Sequence, residues 1–323
     1  MRNAPALSRW DADVDAYLSS RHALGREYRK EEAILHNMRA FLERSGAADL
    51  DQLLFDAWRR QFCHLSASTR VVREFTIHNF CRYRRRTNPR VFLPDRFALA
   101  RSQPHPLPTL IERDQVVRLL RFVSVIESRP HSPRRPAVLR FAIVLLYTAG
   151  LRRGELVRLT LGDVDVRTGV LRIRESKFHK SRWVPLSPSA ARELRRYLEV
   201  RHVIDSHPST SAPLFCNGRG TSYSYQGLSN TIKDAMIRSG IWSDAKRRPR
   251  VHDFRHSFAV AALARWYKAD ADVQSQLPRL AMYMGHVSIV STAYYLRFMP
   301  SVVALAGRRF ERAFGDLVQG GAP

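Results

Sequence analysis

Residues 137–156 read AVLRFAIVLLYTAGLRRGEL. The first twelve positions are apolar on nearly every helical face, so a helix made of them has to be buried all round and sits at the centre of a core. Gly150 supplies the residue that most readily takes the left-handed conformation closing a helix. Immediately after it stand Arg152, Arg153 and Glu155. A central helix that stops at a charged turn delivers those charges to the edge of the core, and this stretch predicts a mainly helical domain with polar chemistry at that edge.

Upstream, ERDQVVRLLRFV (112–123) carries helical spacing. Downstream, VLRIRESKFHKSRWVPL (170–186) alternates on both sides of a polar centre, which predicts a β-hairpin with Ser176–Lys180 at its tip. Ser187 and Pro188 then signal the start of a helix over SPSAARELRRYL. Residues 1–100 read as a separate helical domain, with amphipathic stretches in EEAILHNMRAFLERSG (31–46) and FTIHNFCRYRRR (75–86). Pro104, Pro106 and Pro108 fall at alternate positions, which cannot continue a helix and favour an extended connector. The expected organisation is a helical domain at 1–100, a linker at 101–111, a second domain at 112–300 and a C-terminal tail at 301–323.

The chain has 54 Lys and Arg against 29 Asp and Glu, a net charge of +25. Such a surplus repels itself unless a polyanion is the partner, and nucleic acid is the first candidate. Residues 1–100 hold 18 basic and 12 acidic side chains while residues 101–323 hold 36 and 17, so the second region carries most of the excess. No apolar run reaches the length of about 18 residues that a membrane span needs, and the start MRNAPALSRWDADVD is polar. The reading is an intracellular protein without a membrane partner. Cys63, Cys81 and Cys216 are odd in number and lack C-x-x-C spacing, which fits neither a disulfide framework nor a zinc site. The basic runs at 82–86 and 246–250 read as solvated faces or phosphate contacts.

Four short segments place basic, imidazole or phenolic groups at structural boundaries: TAGLRRGEL (148–156), ESKFHKSRWVPL (175–186), HDFRHSFA (252–259) and MGHVSIVSTAYY (284–295). Over residues 108–300 the chain resembles the tyrosine recombinase, or phage integrase, family. That family has an arginine after a T-G-L turn, a hairpin lysine, an H-x-x-R motif, and a G-H followed nine residues later by a tyrosine. Carried over, the resemblance makes Arg152 and Arg255 the phosphate-binding arginines. Lys177 becomes the hairpin lysine, with Lys180 as the alternative; His252 the general base; His286 a donor to the phosphate; and Tyr295 the nucleophile, with Tyr294 as its decoy. The loop departs from the usual G-K-G-x-K-x-R in reading S-K-F-H-K-S-R.

These residue types suit the chemistry. Guanidinium groups grip two phosphate oxygens without losing charge. A phenol with an ordinary pKa near 10 needs a base. The leaving 5′ oxygen needs a proton, which a lysine can give and an arginine cannot. His252 and Arg255 stand three apart, on one helical face, and His256 is expected to point elsewhere. Glu155 is expected to hold a helix terminus or an arginine.

The resemblance implies a mainly α fold with a small β-sheet or hairpin, in which a helical, SAM-like DNA-binding N-terminal domain precedes the catalytic domain. It implies double-stranded DNA as partner, a synaptic tetramer, possible partner recombinases, a cytoplasmic, nucleoid-associated location and neither ATP nor metal. It also implies a C-terminal helix that docks on a neighbouring protomer. The competing functions are a type IB topoisomerase and a catalytically silent DNA-binding accessory subunit.

Overall fold

In the computed structural model, residues 4–100, 108–128, 132–174, 181–202, 209–242, 248–286, 288–298 and 300–319 are described. The chain divides into two compact units, residues 1–106 and 107–323.

The first unit is helical: α1 (Ala4–Ala23), α2 (Arg29–Arg44), α3 (Gln52–Arg60) and α4 (Ala67–Arg84). Trp10, Tyr17, Leu35, Met38, Trp58 and Phe80 are fully buried between them. Each such side chain removed from water contributes on the order of 1.5–3 kcal/mol. Asp51 and Ser66 cap α3 and α4 by accepting from the N–H groups of Leu54 and Thr69. The basic run at 82–86 is not uniformly a solvated face. Arg84 is 5% exposed and reaches Asp13 at 2.7 Å and Asp49 at 2.7 and 2.9 Å. Arg82, Arg85 and Arg86 are exposed, and of these Arg85 donates to the Val91 carbonyl at 2.8 Å.

The second unit contains α5 (Arg113–Ser124), α6 (Arg135–Thr148), α7 (Arg153–Arg158), β1 (Val164–Asp165), β2 (Val170–Ile173), β3 (Arg182–Pro185), α8 (Pro188–His202), α9 (Tyr225–Arg238), α10 (Asp253–Lys268), α11 (Val273–Met284), α12 (Val290–Phe298) and α13 (Pro300–Gln319). The fold is mainly α with a small sheet, as the sequence predicts. The hairpin is extended by a third strand that the sequence reading missed, giving an antiparallel sheet in the order β1-β2-β3 with Leu171 opposite Val184. At two residues, β1 is too short to show alternation. The expected hairpin tip lies outside the described residues.

α6 is the central helix: Leu139, Phe141, Ala142, Ile143, Leu145 and Leu146 are at most 1% exposed. Phe141 stacks on Tyr197 of α8 at 5.1 Å and on Phe215 at 5.6 Å. The helix ends at Ala149, and Gly150 follows with φ +58°. A Cβ on Gly150 would come within 2.5 Å of the Phe258 ring, so both conformation and space demand glycine there. Ser187 caps α8, its Oγ accepting from the Ala190 N–H at 3.3 Å. Among the described residues, no helix is long and apolar enough to cross a membrane. Cys81 and Cys216 are buried thiols and Cys63 is exposed.

Candidate active site

The site is organised around the C-terminal end of α11. The last carbonyls of a helix lack partners within it and carry the negative end of its dipole, so they attract cations. Here three successive carbonyls each receive an arginine from a different element. Arg182 Nε of β3 donates to Tyr283 O at 2.7 Å, Arg255 Nη2 of α10 to Met284 O at 2.5 Å, and Arg152 Nη2, at the start of α7, to Gly285 O at 2.7 Å. Gly285 has φ +67°, and the His286 N–H turns back onto Ala281 O at 2.8 Å, which closes the helix. A Cβ on Gly285 would meet Arg182 Nη1 at 2.8 Å, so the close approach needs glycine.

One carboxylate ties the cluster together. Glu155 Oε1 accepts from Arg152 Nη1 at 2.7 Å and from Arg182 Nη1 at 2.9 Å; Oε2 accepts from the Arg152 backbone N–H at 2.8 Å and from Arg182 Nη2 at 2.9 Å. Its side chain is 1% exposed. Glu155 therefore holds both a helix terminus and two arginines. Arg255 is buried and also donates to Gly150 O at 2.6 Å, which links the turn after α6 to the turn after α11. Burial, and then the like charges of Arg152 and Arg182, lower the Arg255 pKa to about 9, which leaves it a cation at neutral pH. Three guanidiniums face one carboxylate, an excess positive charge suited to an anion.

The imidazoles and phenols lie beside this cluster. His252 immediately precedes α10, and its ring stands 4.8 Å from that of His256 at an interplanar angle of 89°. His286 Nδ1 is 2.7 Å from Thr292 Oγ1 of α12. Burial, reinforced by neighbouring cations, lowers both the His252 and the His286 pKa to about 3, so both are neutral at pH 7. Burial raises the Tyr295 pKa to about 12, with Arg255 and Arg152 opposing the shift. Tyr295 is 3% exposed, and its Oη lies 2.8 Å from His256 Nδ1. The expectation that His256 points elsewhere is therefore corrected. His256 is four residues after His252, so the helix brings both to one face, and α12 packs there.

The two depressed histidine pKa values predict acid sensitivity. The unfolded chain binds a proton at each near pH 6.5 and the folded chain only near pH 3, so stability rises with pH across that window and levels off above it. Thermal unfolding midpoints of the DNA-free protein are expected to fall as pH drops from 7 to 5. In His252→Gln the dependence should be shallower by up to one proton, at most about 1.4 kcal/mol per pH unit before solvent screening. An unchanged slope in that variant would contradict the assignment.

The structure thus brings Arg152, His252, Arg255, His286 and Tyr295 into one network. Lys177, and its alternative Lys180, lie outside the described residues. Sequence reasoning missed Arg182, His256 and Thr292. For His256 the signal was its four-residue spacing from His252. Arg182 closes the S-K-F-H-K-S-R loop set against the family's G-K-G-x-K-x-R, but its partners Glu155 and Tyr283 lie in distant segments; Thr292 stands six residues after its partner His286, in a stretch where nothing else singles it out.

Beside His252, an open groove of about 730 Å³ runs along α7 and α9. Arg153 stacks over Tyr225 at 4.5 Å, and Lys233 and Arg248 each lie 5.2 Å from the centre of the Trp242 ring. Gln226 and Asn230, exposed one turn apart on α9, are hydrogen-bonded at 2.9 Å.

A helical domain whose part-buried arginines and imidazoles converge, with one buried arginine and one buried phenol, on a G-H turn defines a class of phosphate-handling proteins. The comparisons identify it: residues 110–300 match the Phage integrase family, and the chain belongs to that family. It is 32% identical over 312 residues to y4rB of Sinorhizobium fredii, named as an integrase/recombinase, covering 96% of this chain and 99% of that one. It is 28% identical over 269 residues to the tyrosine recombinase XerD of Caulobacter vibrioides, covering 81% and 82%. The fold is similar to that of the Tn1549 transposon integrase in complex with transposon right end DNA, with a TM-score of 0.67, 16% identity and coverage of 93% and 98%.

Proposed function

We propose that this protein is a site-specific DNA recombinase that cuts duplex DNA through Tyr295, holds the 3′ phosphate as a phosphotyrosine, and rejoins it to a 5′ hydroxyl from a partner strand. The observation that carries this reading is the joining of Arg152, Arg255 and His286 at the Gly285–His286 turn, with Tyr295 on the adjacent α12. Each terminal nitrogen of Arg255 has two N–H groups and gives one to a backbone carbonyl, so the second of each pair would be the one offered to a phosphate. Arg152 and Arg255 would bind the non-bridging oxygens and stabilise the charge that gathers there during attack. If the Thr292 hydroxyl donates to His286 Nδ1, the remaining proton sits on Nε2 and can be donated to the phosphate by a neutral ring. Lys177 is assigned the proton given to the leaving 5′ oxygen.

The groove beside His252 supports a duplex partner. Its cations suit phosphates, and amide side chains such as Gln226 and Asn230 suit the edge of adenine in the major groove. The protein would act in the cytoplasm, at the nucleoid, as a synaptic tetramer on two sites. Residues 1–100 would serve as the core DNA-binding domain, residues 101–111 as linker and residues 112–300 as the catalytic domain.

A supercoiled plasmid carrying two cognate sites is expected to yield rearranged circles. Relaxation independent of site, by a monomer, would point to a type IB topoisomerase; tight binding without cleavage would point to an accessory subunit.

The tail is proposed to dock on a neighbouring protomer and regulate its cleavage. In the single chain α13 packs on α10, and Arg309 donates to Ala271 O at 2.7 Å while Arg312 meets Asp270 at 3.0 Å. It also exposes Val303, Phe310 and Phe314. Deleting residues 301–323 is expected to leave single-site cleavage intact and to reduce paired-site complexes at least about tenfold, a coupling of about 1.4 kcal/mol. Undiminished synapsis on native gels would refute the docking role.

A further inference from the structure

The family resemblance assigns proton uptake to His252, yet the imidazole in hydrogen-bond contact with Tyr295 Oη, at 2.8 Å, is that of His256. The two rings lie 5.6 Å apart. A buried phenol whose pKa is raised reacts at neutral pH only if a base takes its proton as it attacks, and that base must lie within hydrogen-bond reach. We propose that His256 is a further catalytic residue, the group that removes the Tyr295 proton during cleavage and returns it during rejoining. This rests on the recombinase reading above.

In the forward step, with the His256 proton on Nε2, Nδ1 takes the hydroxyl proton as Oη bonds to phosphorus. The P–O5′ bond breaks, its electron pair stays on the 5′ oxygen, and the general acid assigned to Lys177 protonates that oxygen. Cleavage leaves the 3′ phosphate on Tyr295 and an imidazolium at His256. In the reverse step a 5′ hydroxyl attacks and gives its proton to the neutral amine of the group assigned to Lys177, the P–Oη bond breaks with its electron pair on Oη, and the imidazolium protonates Oη. The surroundings suit a transient charge. His252, edge-on at 4.8 Å, stays neutral, so it does not add a full like charge beside the imidazolium.

The test uses the full-length protein on nicked duplex from its own locus, scoring the covalent adduct on denaturing gels. A companion assay joins a 5′-hydroxyl strand to a strand ending in 3′-p-nitrophenyl phosphate, with Tyr295→Phe as the parent. Nitrophenolate leaves without a proton, so this reaction needs the phosphate-binding groups but neither the nucleophile nor its proton carrier. His256→Ala and His256→Gln are both expected to slow adduct formation by about 10²–10⁴-fold. Glutamine can keep a hydrogen bond to Oη but cannot take its proton. DNA affinity should stay near wild type, the thermal midpoint should fall by no more than several degrees, as the loss of one buried hydrogen bond requires, and activated joining by Tyr295→Phe/His256→Ala should stay within a few-fold of the parent. A His256→Gln variant that cleaves at the wild-type rate would overturn the proposal, because the contact would then be structural. So would activated joining that falls in step with cleavage, because His256 would then act on the phosphate. If His252→Ala alone slows cleavage while sparing activated joining, the base is His252. Absence of any adduct from wild type would instead defeat the recombinase reading itself.

Discussion

Tyr295→Phe is expected to abolish the covalent protein–DNA adduct, a loss of at least about 10³-fold, while Tyr294→Phe keeps it within a few-fold of wild type. The two tyrosines are adjacent on α12, and successive helical residues point about 100° apart, so they cannot both address one phosphate. Tyr295 is the buried member, with its Oη on His256 and within the electrostatic reach of Arg255 and Arg152. The Tyr294 ring lies 5.8 Å from the Tyr295 ring, nearly perpendicular to it. Incubation with nicked or gapped duplex followed by denaturing electrophoresis separates the two. An adduct lost only in Tyr294→Phe would shift the nucleophile by one residue and undo the geometry argued for α12.

Glu155→Gln is expected to destabilise the protein by about 3–5 kcal/mol and to depress adduct formation beyond what the loss of folded protein explains. Glutamine nearly matches the shape of glutamate but not its charge. It would leave Arg152 and Arg182 facing one another, with Arg255 nearby, without the carboxylate that accepts their hydrogen bonds. Because Glu155 is buried, water cannot take its place. For a domain of this size the thermal midpoint should drop by roughly 10 °C. Denaturation monitored by circular dichroism, with adduct yield measured well below the midpoint, reads both effects. A midpoint within a degree of wild type would mean that the arginines are held by the α11 carbonyls alone.

Much of this architecture was legible beforehand because its signals are local. The apolar run before Gly150 could only be a buried helix, and Ser187 before Pro188 could only begin one well. The G-H to tyrosine interval spans a single turn-and-helix unit. Arg152, His252, Arg255, His286 and Tyr295 were therefore nameable from spacing and resemblance. Glu155 was nameable too, as a group holding a helix end or an arginine.

The remainder depended on segments far apart in the chain. Arg182 ends the S-K-F-H-K-S-R loop, but the loop alone gives it no partner, and its role exists only because α11 ends beside β3. Arg84 looked like one cation in a basic run until α1 and the Asp49 turn closed over it. His256 was set aside as the neighbour of a motif, and Tyr295 reached it only when α12 packed against α10. Periodicity and capping are short-range and can be read along a chain. The identity of a side chain's partner is set by packing between elements, since a buried guanidinium or phenol takes whichever acceptor the fold brings within about 3 Å.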